Sequence, residues 1–348
     1  NCSNRSRDIS FSLRPDKNPP LHHFVVWRQL LSNNCMFPAP RIEKSNGLDM
    51  AVYEQGQGPP VVLLHGFPEL AYSWRHQLPA LAAADFRTIA PDQRGYGRTT
   101  VPPDVSAYRV SELIADVHGL LDALELDSAA FIGHDWGALL LWQMAMLAPE
   151  RIDSLAILNI PHYPRTPVDP IDIMRDRFGD HFYIVNFQDS DEADRVFAND
   201  PRHFISRMMR KNQLTREQFD KLPPQYRIVS LLRQTLADKA TGDPLLSDEE
   251  LDYYAAGFAR SGFTGPINWY RNWSHNWKQL EGVDPIIDIP TLFIGAENDV
   301  LIGLQHIEGM KPLVSDLHIH MLECGHWTQQ EKPTEVNALL VDWLMQRR

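Results

Sequence analysis

Gly133-His134-Asp135-Trp136-Gly137 follows the apolar run Ala129-Ala130-Phe131-Ile132 and precedes a helical pattern over 138–148. A buried strand that turns at once into a helix, with glycine on both sides of a central residue, has the form Gly-x-nucleophile-x-Gly. The glycines answer a steric demand, because a Cβ at either flank crowds the neighbouring strand and helix. The turn is sharp and strained. It holds Asp135 exposed at the start of a helix, where backbone N–H groups favour negative charge. The competing reading is an aspartate that only caps the helix, which is common after a strand.

Short apolar, β-branched runs at 61–64, 86–90, 129–132, 155–158, 291–294 and 317–322 read as buried strands. Helical patterns at 110–124 and 138–148 lie between them. Such alternation implies a mostly parallel sheet with helices on both faces and reactive groups in the loops at the carboxyl ends of its strands. It stops between about 161 and 276, where Pro-punctuated, aromatic-rich, charged helical segments show no convincing strand. The organisation expected is an N-terminal extension (1–35), a first core part (36–160), an inserted helical cap (161–276) and a second core part (277–348).

The chain has 348 residues, 43% hydrophobic and 22% charged, as an ordinary globular enzyme does. No apolar run approaches the roughly 18–20 residues that cross a bilayer. A net charge of −12 argues against nucleic acid as a partner. Cys2, Cys35 and Cys324 are few, odd in number and widely spaced, which suggests reduced thiols in a cytoplasmic protein. No Cys/His spacing points to zinc, and no metal or cofactor is expected. Residues 1–35 carry Arg5, Arg7, Arg14 and Lys17 but neither the apolar core nor the cleavage site of a secretory signal. They read as a dispensable extension, as from a start upstream of Met36.

An aspartate nucleophile is already anionic at neutral pH and needs no base for its first attack. Attack on an acyl carbon yields an anhydride, a poor intermediate. Attack on a saturated carbon with a leaving group yields an alkyl ester, so the electrophile is an epoxide or an alkyl halide. Hydrolysis of that ester needs a base. His326 follows the last strand-like run, and Asp299 follows the strand at 291–294, which is the order nucleophile, acid, histidine of the α/β-hydrolase fold. Asp299 should orient His326 and stabilise its cation. Glu297 competes for that role, and a lone histidine near a chain end is more often structural. His65-Gly66-Phe67-Pro68-Glu69, after the strand at 61–64, supplies an oxyanion donor, so the N–H groups of Phe67 and Trp136 are the expected pair. A cis bond before Pro68 fits there, and His65 reads as structural.

A halide leaves as a stable anion, whereas an epoxide oxygen leaves as a basic alkoxide and needs a proton. A tyrosine suits that role, and the cap offers Tyr163, Tyr183, Tyr226, Tyr253, Tyr254 and Tyr270. From about 42 to 344 the chain resembles the soluble epoxide hydrolases of the α/β-hydrolase superfamily. The resemblance lies in His65-Gly66-Phe67-Pro68-Glu69, Asp92-Gln93-Arg94-Gly95-Tyr96-Gly97 and the elbow. It continues in Phe182-Tyr183-Ile184-Val185-Asn186-Phe187-Gln188, Gly265-Pro266-Ile267-Asn268-Trp269-Tyr270-Arg271-Asn272 and Gly325-His326-Trp327-Thr328-Gln329. It implies an α/β-hydrolase fold, a small epoxide and water as reactants, and Tyr183 and Tyr270 as the groups that bind and protonate the epoxide oxygen.

Two departures stand out. Ala138 occupies a position that is glycine in the mammalian enzymes, and the phosphatase-like domain fused to those enzymes is not expected here. Phe187 and Trp327 are candidate pocket walls. A haloalkane or haloacid dehalogenase would keep Asp135, His326 and Asp299. The haloalkane enzymes usually place an Asn where Phe67 stands, and the fluoroacetate enzymes an arginine where Trp136 stands. A non-catalytic binding protein would be expected to lose one of Asp135, Asp299 and His326.

Overall fold

The computed structural model describes residues 37–348, so the readings made for residues 1–35, Cys2 and Cys35 lie outside the described residues. The strands are β1 (Arg41–Ser45), β2 (Leu48–Gln55), β3 (Pro60–Leu64), β4 (Arg87–Pro91), β5 (Ala129–His134), β6 (Ile152–Leu158), β7 (Arg210–Lys211), β8 (Asp243–Pro244), β9 (Thr291–Ala296) and β10 (Leu317–Leu322). Eight of these form one sheet in the order β1-β2-β4-β3-β5-β6-β9-β10. All pairs from β4 to β10 are parallel. The fold class is the α/β-hydrolase type expected.

The strand sequences explain this layering. Every residue of β9 (TLFIGA) is buried and β5 is nearly so, because helices cover both faces of a parallel sheet. β10, read from the sequence as a buried strand, instead alternates between half-buried and exposed residues along most of its length, because it lies at the edge of the sheet. The helix Val110–Ala123 buries Val110, Leu113, Ile114, Val117, Leu120 and Leu121, one apolar stripe at helical spacing. The helix Trp136–Leu147 is apolar nearly all round and sits in the core.

Two further features differ from the sequence reading. An antiparallel hairpin, β1–β2, precedes the first expected strand. It turns at Asn46-Gly47, both with positive φ (44° and 77°), as the favoured two-residue hairpin turn requires. Between 161 and 276 the helices are joined by a two-residue ribbon, β7 with β8. Two residues are too few to leave an alternating pattern in a sequence.

β6 and β9 are direct neighbours, with Leu155 opposite Thr291 and Leu158 opposite Ile294. The helices of residues 159–290 therefore leave the sheet at the carboxyl end of β6 and return to the adjacent strand. They have a core of their own, in which Phe197 stacks on Phe204 (3.9 Å between centroids) and Phe258 on Phe263 (4.6 Å). They are also tied to the sheet layer. Trp269 Nε1 donates to the Arg94 carbonyl at 3.1 Å, and Trp327 Nε1 donates to the Met208 carbonyl at 3.1 Å.

The elbow is packed to the limit. A Cβ on Gly137 would run into the Leu64 carbonyl, and one on Gly133 would meet the Gly137 carbonyl and Leu141 at 2.7 Å. Gly137→Ala should therefore cost about 1–3 kcal/mol through forced backbone movement. Gly309→Ala, at an exposed position of the helix Leu304–Met310 with open space around it, should instead stabilise by up to about 1 kcal/mol. Denaturant unfolding of the two variants checks the contrast.

Candidate active site

Asp135 sits between β5 and the helix that starts at Trp136, with φ 51° and ψ −116°. Its side chain makes no capping hydrogen bond to that helix. The capping interpretation is therefore not what the side chain does. Instead Oδ1 accepts the Phe67 N–H at 2.8 Å, across a loop whose Phe67–Pro68 bond is cis. The side chain is not exposed to solvent, as the sequence reading expected, but buried beneath the inserted helices. A Cβ on Gly66 would collide with this side chain, so only glycine lets the loop come so close. Trp136, the other expected donor, contributes the first amide of the helix. Burial alone would raise the Asp135 pKa. The His326 hydrogen bond and charge, the His134 charge and the Phe67 N–H outweigh it and hold the carboxyl below its ordinary value.

His326 Nε2 lies 3.6 Å from Asp135 Oδ2, and Nδ1 lies 2.7 Å from Asp299 Oδ2. The structure thus brings together the three residues named from three separate strand ends, and leaves Glu297 exposed at the surface. Burial disfavours the His326 cation, yet Asp299 and Asp135 together keep its pKa well above the ordinary range. Asp299 is held low against burial by His326, Asn159 and the Leu301 N–H.

Two partners of Asp299 escaped the sequence reading. Asn159, buried with φ 69° at the end of β6, donates Nδ2 to Asp299 Oδ2 at 2.9 Å. It follows a buried strand in the sequence, but nothing local there ties it to Asp299. Arg216 Nη1, from the inserted helices, donates to the carbonyls of Asp299 (3.2 Å) and Ile302 (2.9 Å). In sequence it looks like any charge on a solvated helix.

Behind the carboxylate is a second buried charge. Glu69 accepts from the Gly66 N–H (2.9 Å), Gln329 Nε2 (2.8 Å) and Gln330 Nε2 (3.0 Å), and its Oε2 lies 2.7 Å from His134 Nδ1. His134 Nε2 faces the His326 carbonyl at 2.8 Å. Both nitrogens of His134 thus face oxygen atoms, a carboxylate on one side and a backbone carbonyl on the other. One side chain thereby joins the loop 65–69, the elbow and the segment after His326. His65 is structural in its contacts. Burial lowers its pKa to about 4, and its Nε2 accepts from the Gln93 N–H at 3.1 Å.

Tyr183 opens the helix Tyr183–Asp189 and Tyr270 lies near the end of the helix Thr264–Arg271. Their rings are 5.7 Å apart between centroids, and Tyr270 packs edge-on against Trp136 (5.0 Å) and Phe67 (5.5 Å). Burial first, then the charge of Asp135, raises the pKa of both hydroxyls. They stay protonated across the ordinary pH range.

The other tyrosines pack elsewhere. Tyr253 stacks on Tyr72, Tyr254 reaches Gln330, Tyr163 meets His306, and Tyr226 is exposed. Phe187 touches the rings of Tyr183, Tyr270 and Phe67. Trp327 lies against His326 at 4.9 Å while anchored to Met208. Together these groups can offer a carboxylate nucleophile, a base paired with an acid, and two neutral O–H donors on the facing side.

The alpha/beta hydrolase fold family matches residues 59–333. The chain is 39% identical to epoxide hydrolase A of Mycobacterium tuberculosis, covering 88% of this chain and 97% of that protein. It is 36% identical to bifunctional epoxide hydrolase 2 of Sus scrofa over 86% of this chain, but spans only 53% of that longer protein. Among solved structures, epoxide hydrolase A of Mycobacterium thermoresistibile superposes with a TM-score of 0.79 at 40% identity, over 88% of this chain and 98% of that one. The sheet order, the elbow and these likenesses agree: the chain belongs to the epoxide hydrolases of the α/β-hydrolase fold family.

Proposed function

We propose that this enzyme adds water to small epoxides, giving vicinal diols through an alkyl ester on Asp135. The observation that carries the reading is the convergence of Tyr183 and Tyr270, from two separate helices, beside a buried carboxylate held below its ordinary pKa. One oxygen of Asp135 attacks an epoxide carbon while the two hydroxyls hold the ring oxygen; one of them gives it a proton as the C–O bond breaks, and the phenolate formed is reprotonated from solvent before the next turnover. Water deprotonated by His326 then attacks the Asp135 carboxyl carbon. The resulting oxyanion is held by the N–H groups of Phe67 and Trp136, and Asp299 stabilises the imidazolium; collapse breaks the ester C–O bond and frees the diol, whose departing oxygen takes the imidazolium proton. Phe187 and Trp327 serve as apolar walls.

The same reading divides the chain into core segments 36–160 and 277–348 and a cap of 161–276. The direct pairing of β6 with β9 supports it, although the helix Trp273–Gln279 runs past the outer limit of the cap. Among the described residues no helix is long and apolar enough to cross a membrane. A cytoplasmic setting is part of the proposal, supported by the free, buried Cys324.

Asp135→Ala should abolish turnover. His326→Gln should trap the ester, read by mass spectrometry as a gain equal to the mass of the epoxide; a variant that never becomes alkylated refutes the two-step route. Tyr183→Phe and Tyr270→Phe should each slow alkylation, by about a hundredfold if each acts as a general acid, and the double variant should be nearly inert. Stopped-flow single turnovers measure this.

The pH dependence follows from charge. His326 acts as base only when neutral, and alkylation removes the Asp135 charge that helps hold its pKa up. Hydrolysis of the alkyl-enzyme should therefore rise with pH as His326 loses its proton. Asp299→Asn should move that limb to lower pH while lowering the plateau. A limb that does not move would show that Asp299 is not what holds the His326 pKa up.

A further inference from the structure

Gln188 is the last residue of the first cap motif and Arg271 the last but one of the second; they touch neither Asp135 nor His326, yet each reaches across to the other tyrosine's helix. Gln188 Nε2, on the helix Tyr183–Asp189, donates to the Tyr270 carbonyl at 2.9 Å and to the Ile184 carbonyl at 2.9 Å. Arg271, next to Tyr270 in the chain, donates Nε to the Phe187 carbonyl at 3.0 Å and Nη2 to the Ser190 carbonyl at 3.1 Å. Its remaining donors go to Asp194 (2.7 and 3.1 Å) and Asn268 Oδ1 (2.9 Å). All five N–H groups of the guanidinium are in use. The Arg271–Asp194 pair is largely buried, with side chains 15% and 7% exposed.

The Tyr270, Phe187 and Ser190 carbonyls lie at the carboxyl ends of the two helices, where a helix leaves its carbonyls without intrahelical partners. Each helix is thus capped by a side chain from the other, and satisfying one end fixes the position of the second helix. This matters because two phenols must address one small oxygen atom. A displacement of the order of 1 Å between them can cost about a hundredfold in rate, and neither helix is long enough to be rigid alone (seven and eight residues).

We propose that Gln188 and Arg271 are positioning residues, a reciprocal pair of helix caps that sets the spacing of the Tyr183 and Tyr270 hydroxyls. The proposal rests on the reading of those tyrosines as proton donors. Lysine cannot replace Arg271, since a point charge with three donors does not reproduce the planar fork.

The test separates the two half-reactions in single turnovers with styrene oxide, using the full chain. Gln188→Met and Arg271→Lys should each slow alkylation at least about tenfold and leave hydrolysis of the alkyl-enzyme unchanged. In a Tyr183→Phe/Tyr270→Phe background the same substitutions should leave the residual alkylation, followed by mass spectrometry, unaltered. Wild-type alkylation in the single variants overturns the proposal. So does equal slowing of both half-reactions, or a loss that persists without the tyrosines. If Arg271→Lys fails to fold, Gln188→Met, which removes only the amide, decides the matter. If instead the tyrosine variants themselves alkylate at full rate, the proton-donor reading falls first and this proposal with it.

Discussion

The left-handed backbone of Asp135 is the constraint on which the rest of the site depends. A non-glycine residue held at φ 51° and ψ −116° stores about 1–3 kcal/mol, and it persists only where its surroundings over-determine it. They do so here by close approach. Gly137 lies against Leu64, Gly133 against the first turn of the next helix, and Gly66 against the Asp135 side chain. The turn buries the carboxylate, whose side chain is only 10% exposed. It meets the Phe67 N–H on one oxygen and the His326 ring on the other.

Around that turn the charges are arranged in two buried layers. Asp135, His326 and Asp299 form the front layer, and Glu69 with His134 forms the layer behind it. Each anion has a cationic or N–H partner. Removing one member of a buried pair typically costs about 3–5 kcal/mol because the other is left uncompensated. The rear layer also works as a fastener, since His134 bonds to the backbone of His326 while its neighbour in the chain is Asp135. The inserted helices close the site through Arg216 on the Asp299 loop and Trp269 on the Arg94 carbonyl.

β3, β5, β6 and β9 were legible because a parallel strand buried on both faces needs an unbroken apolar run, and few other elements do. The β1–β2 hairpin was missed although Asn46-Gly47 marks its turn, because a half-exposed hairpin has no such run. Asn159 and Arg216 were not legible for another reason. A hydrogen bond between residues 140 positions apart, such as Asn159 to Asp299, leaves no local trace in either segment. Six cap tyrosines are chemically equivalent in a sequence, and resemblance alone separated Tyr183 and Tyr270 from the rest.

The sequence by itself determined the fold class, the elbow and the class of electrophile. These follow from local sterics and from the chemistry of one carboxylate, both carried by adjacent residues. Only the tertiary structure decided that Asp135 is buried instead of exposed, that Asp299 and not Glu297 meets His326, and that two tyrosines share one space over the carboxylate. Those outcomes depend on how far apart in space distant segments come to rest, and packing of the inserted helices sets that distance.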